Sequence, residues 1–110
     1  MDKAYVVNCV RSFAEKARHT LDVRQVILFG SYAKGTATDE SDIDVVVIVN
    51  SPVADWLETS AELYRISGDI DLAMQPHLVD CASDRSGFLE HIKRTGELIY
   101  DREVEDSETP

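Results

Sequence analysis

The sequence predicts one small domain of mixed helix and strand, α/β or α+β, and three observations carry that prediction. Apolar residues recur at helical spacing over residues 3–19. Two β-branched runs, RQVILF and IDVVVIV, each end in turn residues. Helix-like and strand-like stretches then alternate to the end of the chain, whose 110 residues suit a single modest core.

Taken in order, Val6, Val10, Phe13, Ala14 and Ala17 place one apolar face on a helix over residues 3–19. Arg24 to Phe29 reads as a strand ending at Gly30, Tyr32 to Lys34 as a short helical turn, and Gly35 closes it. Ile43 to Val49 is a second strand, stopped by Asn50-Ser51-Pro52. Residues 55–66 read as a helix with Trp56, Leu57, Ala61 and Tyr64 inward, and Gly68 breaks it. Asp69 to Gln75 gives a third strand before Pro76. Ser86 to Thr95 is helical through Phe88, Leu89 and Ile92, with Gly96 where a C-cap belongs. Leu98 to Tyr100 adds a short edge strand. Pattern alone does not distribute the helices over the faces of the sheet. Residues 1–100 are expected to form the domain, and 101–110 an acidic, flexible tail.

Net charge is −10, and five acids against one base in DREVEDSETP account for −4 of it. The remainder is still acidic, which excludes a nucleic-acid-binding surface built on clustered Lys and Arg. It also means that a polyanionic ligand would need cations to mediate. No apolar run approaches the ~20 residues needed to span a bilayer. The N-terminus mixes acids and bases with no signal-like apolar stretch, and Cys9 and Cys81 stand alone. A cytoplasmic protein with reduced thiols is expected.

The densest chemistry lies in GSYAKGTATDESDIDVVVIV, residues 30–49. Asp39, Glu40, Asp42 and Asp44 fall within six residues and abut an apolar strand. Read as a P-loop, the segment matches both glycines, Gly30 and Gly35, but Lys34 lies on the wrong side of the second. Read as a haloacid-dehalogenase phosphatase phrase, Asp42-Ile43-Asp44-Val45-Val46 fits, but the strand follows the aspartates instead of preceding them. The two pieces make better sense together. Side chains alternate along a strand, so Asp42 and Asp44 project from one face, and two such carboxylates repel unless cations bridge them. Hard divalent cations favour carboxylates completed by substrate phosphates. Gly30 permits close backbone approach to a phosphate, and Ser31 adds a hydroxyl and an amide.

Gly-Ser, ten residues and Asp-x-Asp is a spacing that resembles the nucleotidyltransferase motif of the polymerase-β superfamily, and at this length its minimal-nucleotidyltransferase (MNT) branch. The resemblance runs from Val26 to Tyr100. It implies the polymerase-β-like nucleotidyltransferase fold, a small mixed β-sheet with helices mainly on one face. It implies ATP as substrate, two Mg²⁺ ions held by Asp42 and Asp44, and phosphates gripped by Gly30 and Ser31. A third carboxylate comes from a later strand in such families. GDIDLAMQP offers Asp71, with Asp69 in reserve, as ligand and general base. Lys34 stands where the family commonly has a basic residue, either touching phosphate or merely solvated. Thr36, Thr38 and Asp39 read as loop builders, Tyr32, Trp56 and Tyr64 as packed residues, and His19, His77 and His91 as helix-end or surface histidines without ligand spacing.

Free-standing MNT proteins resemble the antitoxin half of HEPN–MNT toxin–antitoxin pairs, in which the MNT protein adenylylates a tyrosine of the HEPN ribonuclease. That implies transfer of AMP from ATP to a partner tyrosine and a hetero-oligomer, with no membrane and no direct nucleic-acid contact. Two alternatives compete. A binding-only antitoxin or scaffold would neutralise its partner by contact, though it has no physical need for clustered carboxylates. Transfer to a small molecule such as an aminoglycoside would ask for a second domain that 110 residues do not hold.

Overall fold

A computed structural model describes residues 2–38, 40–50, 53–82 and 87–107. The order is α1 (Lys3–Arg18), β1 (Val23–Phe29), α2 (Ser31–Lys34), β2 (Ile43–Val49), α3 (Trp56–Ile70), β3 (Met74–Asp80), α4 (Phe88–Thr95), β4 (Glu97–Asp101) and α5 (Arg102–Ser107). The four strands form one mixed sheet in the order β3-β2-β1-β4. β1 runs antiparallel to both β2 and β4, while β2 and β3 are parallel.

α1 begins where the Asp2 side chain accepts the Tyr5 N–H at 2.8 Å, an N-cap. It buries the five apolar residues that its spacing singles out, together with Cys9. These meet Val26 and Leu28 of β1, Val45 and Val47 of β2, and Leu63 and Ile66 of α3 in the main core. The opposite face of the sheet is covered more lightly, by Leu89 and Ile92 of α4 on Ile27, Val46 and Ile48. β2 is buried on both faces beyond Asp44, which is why Val45 to Val49 is an unbroken apolar run rather than an alternation.

Three element boundaries differ from the sequence pattern. α3 runs through Gly68 to Ile70, so the glycine does not break it. Asp55 caps it by accepting the Glu58 N–H at 3.0 Å. The helix also turns its other side inward. Leu63, Ile66 and Ser67 are buried, whereas Trp56, Leu57, Ala61 and Tyr64 face outward, so Trp56 and Tyr64 are not core residues. The third strand is Met74–Asp80 rather than Asp69–Gln75, and Pro76 lies inside it. A proline is tolerated because β3 is an edge strand.

At the far end, Gly96 follows α4 and donates to the Ile92 carbonyl at 2.7 Å. Its backbone is extended, so its reason is space: a Cβ there would lie 2.7 Å from Ile27 Cγ2 and 2.8 Å from the Leu28 carbonyl. The stretch expected as a tail opens with the last residue of β4 and continues as α5. Asp39, Ser51-Pro52, Ser86 and residues 108–110, to which the sequence pattern gave roles, lie outside the described residues. Among those that are described, no helix is long and apolar enough to cross a membrane.

Candidate functional site

The end of β1 and the starts of β2 and β3 meet at one end of the sheet. Phe29, the last residue of β1, is the Cα partner of Asp44 on β2. The chain then turns at Gly30, whose φ of +75° is a conformation that L side chains rarely adopt. A Cβ at Gly30 would also lie 2.6 Å from Asp44 Oδ2. The Asp44 carboxylate therefore sits directly against the Gly30 backbone. The glycine-serine piece and the aspartate pair, separated by ten residues in sequence, are one place in space.

The intervening loop is built to hold that arrangement. α2 is closed by Gly35 in the left-handed conformation, its N–H donating to the Ser31 carbonyl. Tyr32 is buried, as expected, and its hydroxyl donates to the Thr38 carbonyl at 3.4 Å. The Thr38 N–H donates to Ser41 Oγ at 2.8 Å, immediately before Asp42. Ser31 is half-buried beside Gly30, whereas Lys34 is exposed at the end of α2.

Asp42 is exposed and Asp44 half-buried. Burial raises the Asp44 pKa above the ordinary carboxylate value, and the negative charge of Asp42 adds to the rise. The facing imidazole of His77 pulls the other way. An ionised Asp44 is thus disfavoured by its surroundings until positive charge arrives.

His77 is the residue that sequence reasoning passed over. Its Nε2 lies 3.8 Å from Asp44 Oδ1, and its ring meets Phe29 edge-on with centroids 5.4 Å apart. Ending the third strand before Pro76 left His77 outside the sheet. Continuing the strand through the proline would have placed it beside the aspartates.

The structure does not bring Asp71 to the pair in the same way. Asp71 caps α3, and each of its oxygens accepts one hydrogen bond: Oδ2 from the Tyr5 hydroxyl at 2.7 Å and Oδ1 from the Ala73 N–H at 2.8 Å. That bond raises the Tyr5 phenol above its usual pKa. Asp69 is exposed within α3. Among the described residues no three His, Cys, Asp or Glu side chains converge closely enough to hold an ion. The donor set fits a divalent cation in a more limited sense. Two carboxylates, one raised in pKa first by burial and then by its like-charged neighbour, suit an ion whose remaining positions are filled by phosphate oxygens and water.

Residues 12–105 match the family described as polymerase beta, nucleotidyltransferase. A 53-residue stretch is 40% identical to a provisionally named protein adenylyltransferase of Methanocaldococcus jannaschii, covering 46% of this chain and 36% of that one. The match thus spans about a third of that relative's length. A crystal structure of a provisionally named nucleotidyltransferase from Sulfolobus solfataricus has a TM-score of 0.68 at 20% identity, covering 92% of this chain and 85% of that one. A tri-AMPylated Shewanella oneidensis HEPN toxin in complex with its MNT antitoxin gives 0.59 at 20% identity, covering 92% and 77%. At that identity the two structural likenesses bear on the fold.

Proposed function

The chain belongs to the polymerase beta nucleotidyltransferase family, and from that premise we propose that it transfers AMP from ATP to a hydroxyl of a partner protein, a tyrosine of a HEPN-type toxin, as the antitoxin of the pair. The observation that carries the proposal is the Asp44 carboxylate lying against the Gly30 backbone, 2.6 Å from where a Cβ would be. It joins a place for phosphates to a place for cations.

In this reading the Gly30 backbone and the Ser31 hydroxyl hold the β- and γ-phosphates of ATP. Asp42 and Asp44 hold the divalent cations, with Mg²⁺ the expected species, and orient the triphosphate between them. The bound cations supply charge neutralisation at the α-phosphate and at the departing pyrophosphate. The acceptor oxygen attacks the α-phosphorus in line, the bond to pyrophosphate breaks, and no covalent enzyme intermediate is needed. Asp71 remains the candidate general base: each of its oxygens accepts one hydrogen bond, from the Tyr5 hydroxyl and the Ala73 N–H, and keeps a second acceptor site. Lys34, exposed beside the loop, is free to approach the triphosphate.

The likeness to a structure of an MNT antitoxin with its AMPylated HEPN toxin supports the choice of acceptor. The protein's acidity suits a basic partner. One observation favours a second reading, a binding-only antitoxin: among the described residues no group of three His, Cys, Asp or Glu side chains is placed to hold a metal ion. Transfer assays with Asp42→Asn and Asp44→Asn separate the two. Losing several kcal/mol of charge stabilisation should slow transfer about 100-fold or more in either variant. Unchanged transfer in both would remove the aspartates from the chemistry. A partner neutralised equally well by both variants would establish the contact-only reading.

A further inference from the structure

We infer that the outer face of α3 is a docking seam for an amphipathic helix of a partner protein, one that carries Lys and Arg beside its apolar stripe. The inference deepens the reading above by assigning the surface that the partner occupies, and it rests on that reading for the partner.

A helix with one side in water ordinarily keeps that side polar. α3 does not. Leu57, Ala61, Tyr64 and Gly68 follow one another in steps of four, three and four residues, which puts them on one side of the helix. They lie away from Leu63, Ile66 and Ser67, which α3 buries against the core. Leu57 is 83% exposed and Tyr64 48%. Leu72, 86% exposed, extends the row, because its Cδ2 lies 3.8 Å from where a Cβ of Gly68 would be. A single exposed leucine is ordinary, whereas a continuous row marks an interaction surface. Large and small residues alternate along it, and the small ones leave hollows that side chains of a second helix can fill.

Charge chooses the occupant. Glu58, Glu62 and Asp69 run along the helix beside the row, and the only base of α3, Arg65, is already paired with Glu62. A second copy of the chain would bring the same acids on a molecule of net charge −10, so like charges oppose that pairing. A helix with Lys and Arg flanking its apolar anchors covers the row and neutralises the acids together.

Position shows what docking accomplishes. The row ends at Leu72, whose neighbour Ala73 accepts the Ile43 N–H at 2.9 Å. Ile43 stands between Asp42 and Asp44, and the candidate base Asp71 directly precedes Leu72. A helix laid along α3 therefore ends at the site, where it can deliver an acceptor hydroxyl.

The test measures binding and transfer separately, with the full chain and the protein encoded by the adjoining gene. Leu57→Glu and Tyr64→Glu should each weaken association at least about tenfold, the loss typical of a central interface anchor. Tm and ATP binding should not change, because both side chains are exposed. Glu58→Lys combined with Asp69→Lys should also weaken association and flatten its dependence on salt. Asp44→Asn should bind the partner as tightly as wild type while losing transfer. Association unaltered by every α3 variant overturns the inference, and transfer that persists alongside it leaves the transferase reading standing. A chain that dimerises alone and becomes monomeric in Leu57→Glu gives the face to a second copy, which also overturns it. No association between the two proteins overturns both the inference and the choice of partner.

Discussion

At the scale of single residues, Gly30 is the position most tightly fixed by its surroundings. Its φ of +75° and the 2.6 Å collision with Asp44 Oδ2 are independent obstacles to any side chain. Gly30→Ala should lose about 1–3 kcal/mol from the backbone conformation alone, read by chemical denaturation, and should displace Asp44 enough to suppress transfer. Asp44→Asn should act oppositely on stability. The folded-state pKa of Asp44 is raised, so the folded chain binds that proton more readily than the unfolded chain. Stability therefore falls as pH rises through the carboxylate range, and removing the charge should raise Tm near neutral pH in the absence of cations. Asp101 behaves in the reverse sense. Its pKa is lowered, first by the hydrogen bond from Gln25 Nε2 at 2.9 Å and then by backbone N–H groups, with burial opposing. Its stabilisation is present above the unfolded value of about 4 and is lost as pH falls below it. The stability gap between wild type and Asp101→Asn should accordingly close in acid. Of these features the Gly-Ser and Asp-x-Asp were legible in the sequence as a spacing. The use of both Asp71 oxygens by Tyr5 and Ala73 was not, because Tyr5 lies 66 residues away on another helix.

At the scale of elements, the sequence pattern succeeded where one signal dominated. α1 has a strict apolar stripe and a capping aspartate, and β2 is a continuous β-branched run between turn residues. It failed on α3 and β3, where signals conflicted. Gly68 was read as a stop, yet packing of Leu63, Ile66 and Ser67 carries the helix past it at a cost of about 1 kcal/mol relative to alanine. Pro76 was read as a strand terminator, yet an edge strand tolerates it, and the misplaced boundary concealed His77. The reversed face of α3 has the same origin: Trp56, Leu57 and Tyr64 offered a plausible stripe that competes with the real one. Substitution can grade these elements. Phe13→Ala, in a fully buried position of α1, should cost about 3–5 kcal/mol, enough to threaten a domain of ordinary stability. Asp55→Ala, which removes the α3 cap, should cost about 1 kcal/mol. A cap loss as large as the core loss would contradict this ranking.

For the whole molecule, the sheet order β3-β2-β1-β4 brings the end of one strand and the starts of two others to a single end. The Gly30–Ser31 turn, the Asp42–Asp44 pair and the His77 imidazole thereby come together there. The mixed α/β architecture was readable from the alternation of elements. Its division into a heavily covered face under α1 and α3 and a lightly covered one under α4 came from the family resemblance and not from pattern, because helix periodicity does not say which side of a sheet a helix takes. The most direct test of the proposed activity is transfer of label from α-³²P-ATP, with Mg²⁺ or Mn²⁺, in the presence and absence of the protein encoded by the adjoining gene. Radioactivity on that partner, absent with γ-labelled ATP and lost in Asp44→Asn, is the predicted result. Tight association of the two proteins with no label on either would contradict it.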